Sequence, residues 1–154
     1  MAEKTIEVLI VEDNEVDVRL AKQALRAWGE QIHFARDGEE AIRFLAECEA
    51  AMSSKHGSMP KLILLDLQLP GMDGHELLRQ VRNNPLTRWI PVVVLTSSRQ
   101  DDDLNKAYAY GANSYIQKPM SFREFRRSLT DLFSYWIGSN CLRSSAPPAG
   151  NKAG

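Results

Sequence analysis

Three short runs of branched apolar residues stand out along the chain, and a polar or acidic residue closes each of them. They lie at Val8–Val11, Leu62–Leu65 and 92–95. Because each run is apolar at consecutive rather than alternate positions, it predicts a strand covered on both faces, as in a parallel sheet. Weaker strand patterns at 31–35 and 113–117 bring the predicted number of strands to five.

Apolar residues at spacings of three and four predict helices between these strands. A fourth helix over 101–110 ends at Gly111, a suitable C-cap. The apolar positions of the other four are Leu20, Ala21, Ala24, Leu25 and Trp28 in a helix beginning near Asn14; Ala41, Ile42 and Leu45; Leu77, Leu78 and Val81; and Phe122, Phe125, Leu129, Leu132, Phe133 and Trp136. Strict alternation of strands and helices predicts an α/β fold, a parallel sheet with helices on both faces joined by right-handed crossovers.

Two segments lack such a pattern. Residues 49–60 are small and polar and predict a loop before the third strand. Residues 138–154 contain two prolines and several small residues and predict a disordered tail. We therefore expect one domain over residues 1–137 and no DNA-binding or catalytic module after it.

Composition narrows the function further. The 154 residues include 20 acidic and 19 basic side chains, a net charge of −1, which disfavours a nucleic-acid or membrane-surface binder. No apolar run is long enough for a signal peptide or a membrane span. Cys48 and Cys141 fit no metal or redox spacing and are consistent with a reducing, cytoplasmic environment. Arg123, Arg126 and Arg127 share one side of the last helix and indicate a solvated face.

Chemistry-bearing residues follow the predicted strands. Glu12 and Asp13 follow the first strand, Asp66 ends the third, Thr96 ends the fourth and Lys118 follows the fifth. In an open parallel sheet, ligands bind outside the carboxyl ends of the strands. Each residue alone is more often a turn, cap or surface residue, but their occurrence together at four strand ends indicates one site.

The charges of this predicted site favour a cation and phosphate chemistry. Three carboxylates and one lysine leave a charge of −2 in a small space, and such crowding raises carboxylate pKa values unless a cation neutralises them. Mg²⁺ prefers oxygen ligands from a few carboxylates, water and phosphate. A metal, a lysine, a hydroxyl and a nucleophilic carboxylate are together suited to phosphoryl transfer.

Four motifs resemble those of a known family. They are LIVEDN at 9–14, LDLQLPGMDG at 65–74, VLTS at 94–97 and KP at 118–119. In these motifs the chain resembles the receiver domain of two-component response regulators, and the resemblance extends over about 6–137. It implies a flavodoxin-like sheet of five parallel strands in the order 2-1-3-4-5.

The resemblance also implies roles for the acidic residues. Asp66 would be the phosphoacceptor, which receives phosphate from a histidine on a sensor kinase. Asp13, Asp66 and the backbone carbonyl of Gln68 would bind Mg²⁺ directly. Glu12 would act mainly through metal-bound water.

A conformational switch is the third implication of the resemblance. Thr96 and Lys118 would contact the phosphoryl group. As Thr96 moves inward, Tyr115 would rotate into the vacated space, and the surface formed by the fourth helix, fifth strand and fifth helix would change its binding preference. From the residues alone, Tyr115 would be a half-buried tyrosine of a strand.

Looser similarities suggest a subgroup. VEDNEVDVRL at 11–20, the long loop before the third strand, WIPVVVLTSS at 89–98 and FSYW at 133–136 resemble stand-alone regulators paired with bacterial phytochrome kinases. Gly71 and Met72 follow the general family pattern, whereas that subgroup often has basic residues there. This departure leaves another sensor kinase open as the partner.

Several alternatives remain at this stage. A phosphatase with an aspartyl nucleophile needs a second carboxylate two residues later, and Gln68 cannot supply that proton, so the chain is not expected to be an enzyme. The regulator could pass phosphate onward to a histidine phosphotransfer protein, or serve as a phosphate-independent docking scaffold. Gln68 and Ser98 flank the site and would influence the phosphate lifetime.

The apolar end of the last helix, with Tyr135 or Ile137 outside the core, suggests a homodimer contact.

His33, His56 and His75 are scattered over a strand, a loop and a helix start. None of them is expected to be a phosphate donor.

Overall fold

The computed structural model describes residues 5–141, which form one five-stranded parallel sheet in the order β2-β1-β3-β4-β5. The predicted fold is therefore confirmed. Its elements are β1 (Val8–Val11), α1 (Glu15–Ala24), β2 (Ile32–Ala35), α2 (Gly38–Ser53), β3 (Leu62–Leu65), α3 (Gly74–Asn83), β4 (Val92–Thr96), α4 (Asp101–Ala109), β5 (Ser114–Gln117) and α5 (Phe122–Phe133).

The three central strands, β1, β3 and β4, are buried along their whole length. Alternate side chains point to opposite faces, so Leu9 and Ile63 pack against the layer of α2, α3 and α4. Their neighbours Ile10 and Leu64 pack against the layer of α1 and α5. This double burial explains why the strands are continuous apolar runs rather than alternating ones.

Side chains at the N-terminal ends position four of the helices. Asn14, Asp37, Asp73 and Ser121 each accept a hydrogen bond from the backbone N–H three residues later. Such caps satisfy backbone donors that the first helical turn leaves unpaired. At the other end of α4, Gly111 follows the helix with φ of +103°, a conformation that suits glycine.

Two predicted helix boundaries at the α1 and α5 ends need correction. The helix α1 ends at Ala24, and Trp28 lies in a separate 3₁₀ turn over Arg26–Gln31. A spacing of three residues also fits a 3₁₀ turn, so the apolar pattern could not separate the two. Beyond α5 the chain continues as a π-helical turn, Ser134–Ser139, which contains Trp136.

The segment predicted as a loop at 49–60 is also partly helical. Residues 49–53 belong to α2, because Cys48 and Met52 pack against the core and the alanines between them favour a helix. The domain limit at residue 137 and the tail at 138–154 stay predictions, and the tail lies outside the described residues from position 142 onward. Within 5–141, no helix is both long and apolar enough to cross a membrane.

Candidate functional site

The carboxyl ends of the strands bring the predicted site residues to one edge of the sheet. Backbone hydrogen bonds run from Glu12 N to Ala35 O (2.9 Å), from Asp66 N to Val11 O (3.0 Å) and from Lys118 N to the carbonyl of Thr96 (2.8 Å). The sheet ladder thus continues one residue past the strands and fixes these side chains relative to each other. Glu12, Asp66 and Thr96 are buried.

Three carboxylates form the core of the site. One oxygen each from Glu12, Asp13 and Asp66 lies within 4.8 Å of the others, and only Asp13 is exposed to solvent. The backbone N–H of Gln68 donates to Asp66 Oδ1 at 3.0 Å, and the N–H of Asn14 donates to Glu12 Oε1 at 3.1 Å. The two backbone bonds orient the carboxylates, and the Gln68 backbone lies directly beside Asp66.

Lys118 connects the carboxylates through its ammonium group. Its Nζ donates to Glu12 Oε2 at 2.5 Å, to Asp66 Oδ2 at 2.7 Å and to Asp17 Oδ2 at 2.8 Å. Asp17 was not among the predicted site residues. A signal for it exists in the sequence, because it lies three residues after the α1 N-cap, in the helical turn that faces this edge.

The electrostatics of the site leave an excess of negative charge. Burial, and then the charge of Asp66, raise the pKa of Glu12 to about 7, against an opposing effect of Lys118. For Lys118, burial would lower the pKa, but the charges of Glu12 and Asp66 outweigh it and the pKa is raised. Lys118 is therefore charged at neutral pH, and the carboxylates still carry excess negative charge that a cation would neutralise.

The donor set fits a hard divalent ion. All the clustered side-chain ligands are carboxylate oxygens, which Mg²⁺ and Mn²⁺ prefer over nitrogen or sulfur. The exposed Asp13 leaves one side of the cluster open to water and phosphate. Glu12, Asp13 and Asp66 are the residues that would hold such an ion, with the Gln68 carbonyl as a further oxygen on the same loop.

Thr96 and Tyr115 both contact Ser98, in the segment between β4 and α4. The Thr96 hydroxyl accepts from the Ser98 N–H at 3.3 Å, and the Tyr115 hydroxyl donates to the Ser98 carbonyl at 3.3 Å. The Ser98 hydroxyl in turn donates to Asp103 Oδ2, in the first turn of α4, at 2.5 Å. Ser98 thus links the Thr96 hydroxyl, Tyr115 and α4. This connection depends on the tertiary structure, so no sequence pattern predicts it.

Two further features shape the entrance of the site. The Ser97 hydroxyl donates to Gln68 Oε1 at 3.1 Å, which joins the loops after β3 and β4. A Cβ on Gly74 would lie 2.6 Å from the Asp66 carbonyl oxygen and from Leu67 Cα. Only glycine permits α3 to begin this close to the acidic loop.

Comparisons with known proteins agree with this geometry. The family model for the response regulator receiver domain matches residues 8–130. The chain is 41% identical over 148 residues to the probable methanogenesis regulatory protein FilR2 of Methanothrix harundinacea, covering 95% of this chain and 92% of FilR2. It is 35% identical over 132 residues to the response regulator Rcp1 of Synechocystis, covering 84% and 88%.

Solved structures show the same relationship. The phosphorylated cyanobacterial phytochrome response regulator RcpA superposes with a TM-score of 0.80 at 34% identity, covering 91% of this chain and 99% of RcpA. A Mn²⁺-bound form of Rcp1 superposes with a TM-score of 0.77 at 32% identity, covering 89% and 98%.

The sheet order and the acidic edge define a receiver-type α/β signalling domain. The chain belongs to the response regulator receiver domain family of two-component systems. Its resemblance to stand-alone, phytochrome-associated response regulators is confirmed by Rcp1 and RcpA. Receiver domains bind Mg²⁺ or Mn²⁺ at this acidic site and pair with sensor histidine kinases.

Proposed function

We propose that this chain is a response regulator whose Asp66 accepts a phosphoryl group from a phosphohistidine of a sensor kinase, with Mg²⁺ as cofactor. The observation that carries the proposal is the joint position of three carboxylates within 4.8 Å and a lysine bonded to Asp66. Buried carboxylates this close together lower the stability of the fold, and binding of a cation would offset that cost.

The chemistry of each residue follows from its contacts. An oxygen of Asp66 attacks phosphorus, the bond to the donor breaks, and the donor's leaving group departs in line. The Gln68 N–H holds Asp66 Oδ1, and Lys118 holds Oδ2 at 2.7 Å, so the carboxylate is oriented before the donor arrives. Bound Mg²⁺ would neutralise phosphoryl oxygens, and Glu12 and Asp13 are the residues that hold it with Asp66.

Phosphorylation of Asp66 would then act through the hydroxyl of Thr96, beside the site. The Thr96 hydroxyl would donate to a phosphoryl oxygen and move toward it, which would weaken the bond that it accepts from the Ser98 N–H, and Lys118 would shift from the carboxylates toward the phosphate. Tyr115 shares the Ser98 contact, so the change reaches β5 and the first turn of α4. The α4-β5-α5 surface would then change its preference for partners. The extent of this change depends on how much more phosphorylation stabilises the active state than the inactive one.

The partner kinase is proposed on the basis of relatives. The similarity to Rcp1 and to RcpA, a cyanobacterial phytochrome response regulator, supports a phytochrome-type kinase as the partner. The similarity to FilR2, a probable methanogenesis regulator, supports a different sensor kinase on the same regulator scaffold. Phosphotransfer assays with purified kinases of both kinds would decide between them. We further propose a cytoplasmic protein without a nucleic-acid partner.

A homodimer contact through the end of α5 is part of the proposal. Tyr135 is 54% exposed, whereas Trp136 and Ile137 pack against the core between α1 and α5. Tyr135 rather than Ile137 is therefore the side chain available to a second copy. Sedimentation of the wild type and of Tyr135→Glu should show a dimer that the substitution abolishes; a wild type that remains monomeric at high micromolar concentration contradicts this contact.

The central experiment is phosphorylation by a small acyl phosphate, followed by intact mass. We expect a Mg²⁺-dependent gain of one phosphate that Asp66→Asn abolishes while the circular dichroism spectrum stays unchanged. Acid-labile phosphate retained on the variant would overturn the assignment of Asp66.

Other results of the same experiment distinguish the alternatives. No phosphate on the wild type would favour a docking scaffold that binds its partners regardless of phosphorylation. If phosphate is gained, incubation with a histidine phosphotransfer protein would show whether it is passed onward, as in a phosphorelay.

A further inference from the structure

The outer edge of β2 has backbone groups without a strand partner. In the sheet, β2 pairs with β1 alone, and Ala35 accepts from the Glu12 N–H on that side. Residues of a strand alternate in direction, so Ile32 and Phe34 direct their backbone N–H and C=O groups away from β1. An edge of this kind is a template for an additional strand.

A groove runs beside this edge, between β2 and the end of α1. It contains a cavity of about 490 Å³. The apolar floor consists of Leu25, Ile32 and the half-buried Phe34, while Lys22 and Arg26 stand at the rim. We call this feature the β2 groove. Its dimensions suit one large apolar side chain with polar or charged neighbours.

The cations of the β2 groove lack acidic partners. Among residues 5–141, no carboxylate lies within ion-pair distance of Lys22 or Arg26, or of Arg19 one turn earlier on α1. Lys22 Nζ instead lies 5.2 Å from the centre of the Phe34 ring. The ammonium group of Lys22 and the guanidinium group of Arg26 are therefore available to contact carboxylates of a partner at the rim of the groove.

We propose that the β2 groove binds an extended acidic segment of a partner protein, which pairs with β2 as a sixth strand. The partner's backbone would bond to Ile32 and Phe34, one apolar side chain would enter the cavity, and carboxylates beside it would meet Lys22 and Arg26. Strand addition of this type combines backbone affinity with side-chain pockets for specificity.

Charge argues against a second copy of this chain as the occupant. Antiparallel pairing of two β2 edges would bring two sets of Lys22 and Arg26 together, and like charges across an interface are unfavourable. The position of the groove also separates it from the proposed switch. Because β2 and β5 are opposite edges of the sheet, binding is expected to be independent of phosphorylation at Asp66.

The test uses a labelled peptide with one leucine and a glutamate two residues before and two residues after it, so that all three side chains lie on one face of the strand, measured by fluorescence anisotropy with the full chain. We expect Lys22→Glu combined with Arg26→Glu to weaken binding by about tenfold or more, as two reversed charge contacts should. The matched control is Arg123→Glu with Arg126→Glu on α5, which changes the net charge equally and should retain wild-type affinity. Asp66→Asn should also bind normally, so failure of the phosphorylation proposal would not affect this result.

Backbone pairing is tested separately with N-methylated peptides. Methylation of alternate amides on one edge of the peptide should abolish binding, whereas methylation on the other edge should have little effect. Equal weakening by both double variants, equal effects of both methylation patterns, or no measurable binding by the wild type would each overturn the proposal. Amide shifts of Ile32 and Phe34 on titration would place the peptide in the β2 groove.

Discussion

Lys118 determines the charge balance of the acidic site at the scale of single residues. Its ammonium group is bonded to three carboxylates, and the side chain is only 9% exposed. Removing a cation from such a cluster leaves buried negative charges unpaired, which costs much more than loss of a surface ion pair. The phosphoryl group and the carboxylates would compete for the ammonium group of Lys118. This residue would therefore also couple phosphorylation to the conformational change.

We expect Lys118→Met to lower the free energy of unfolding at pH 8, without Mg²⁺, by on the order of 3 kcal/mol. Urea unfolding measures this change, and added Mg²⁺ should recover part of it. In this variant, Asp66 should still be phosphorylated by an acyl phosphate, but the change in the α4-β5-α5 surface that follows phosphorylation should be lost. The control is Lys61→Met, which removes an exposed pair with Glu7 and should cost less than about 1 kcal/mol. Equal costs for both variants would contradict the proposed charge balance.

Glu12 leads to a prediction of pH dependence. Its pKa is raised from 4.5 to about 7 by burial and by Asp66, so the folded state binds this proton more tightly than the unfolded state. The resulting stability is fully present below pH 4.5 and is lost as pH rises through 7, by at most on the order of 3 kcal/mol. In metal-free buffer, Glu12→Gln should flatten this part of the stability curve. Parallel curves for the two proteins would contradict the prediction.

Part of this site was predicted from the sequence, because the ends of the strands can be recognised in it. Glu12, Asp13 and Asp66 lie where apolar runs stop, Lys118 follows the weaker fifth strand pattern, and the parallel topology brings the four together. Asp17 was missed because an acidic residue in the first turn of a helix is common without any ligand. The link from Ser98 to Asp103 joins a loop to a helix, and no local pattern reports such a contact.

Arg82 joins three segments at the opposite end of the sheet, at the scale of secondary-structure elements. Its guanidinium group makes five hydrogen bonds, to the carbonyls of Arg88, Ile90 and twice Gly111, and to Asn113 Oδ1. The side chain therefore connects the end of α3 with the start of β4 and with the turn before β5. The planar fork of arginine is required for this pattern of donors.

We expect Arg82→Lys to lower the free energy of unfolding by on the order of 2 kcal/mol, because a single ammonium group cannot reach all four acceptors. The matched control is Arg79→Lys on the same helix, where the side chain is 55% exposed and pairs with Glu76 at 3.8 Å. Thermal unfolding of both variants provides the comparison. A loss for Arg79→Lys as large as that for Arg82→Lys would contradict a specific role of the Arg82 hydrogen bonds.

Predictability from sequence differs between kinds of element. The three central strands were predicted well because double burial makes each of them a continuous apolar run, whereas the edge strands β2 and β5 gave weaker patterns. Helix ends were predicted less well: the spacing that includes Trp28 fits both an α-helix and a 3₁₀ turn, and the ring packs at 5.4 Å from Phe133 in either description. The end of α2 was missed because its last turn is small and polar, while Met52 within it contacts the core.

The two edges of the sheet give the whole molecule two separate surfaces. One edge, at β5, lies beside Tyr115 and the Ser98 link, and through Asp103 it is connected to α4. The other edge, at β2, is separated from β5 by three buried strands. Rigid, close-packed strands resist small displacements, so a change at Thr96 should be transmitted along the loops of its own edge rather than across the sheet.

Amide hydrogen exchange before and after phosphorylation tests this separation directly. We expect exchange rates to change in the loop between β4 and α4 and in β5, where Thr96 and Tyr115 share the contact with Ser98. Rates in β2 should stay the same, because none of those contacts reaches that strand. Asp66→Asn, treated with the same acyl phosphate, controls for effects of the reagent. Comparable changes at both edges would show that phosphorylation alters the sheet as a whole, and would rule out a switch confined to the β5 side.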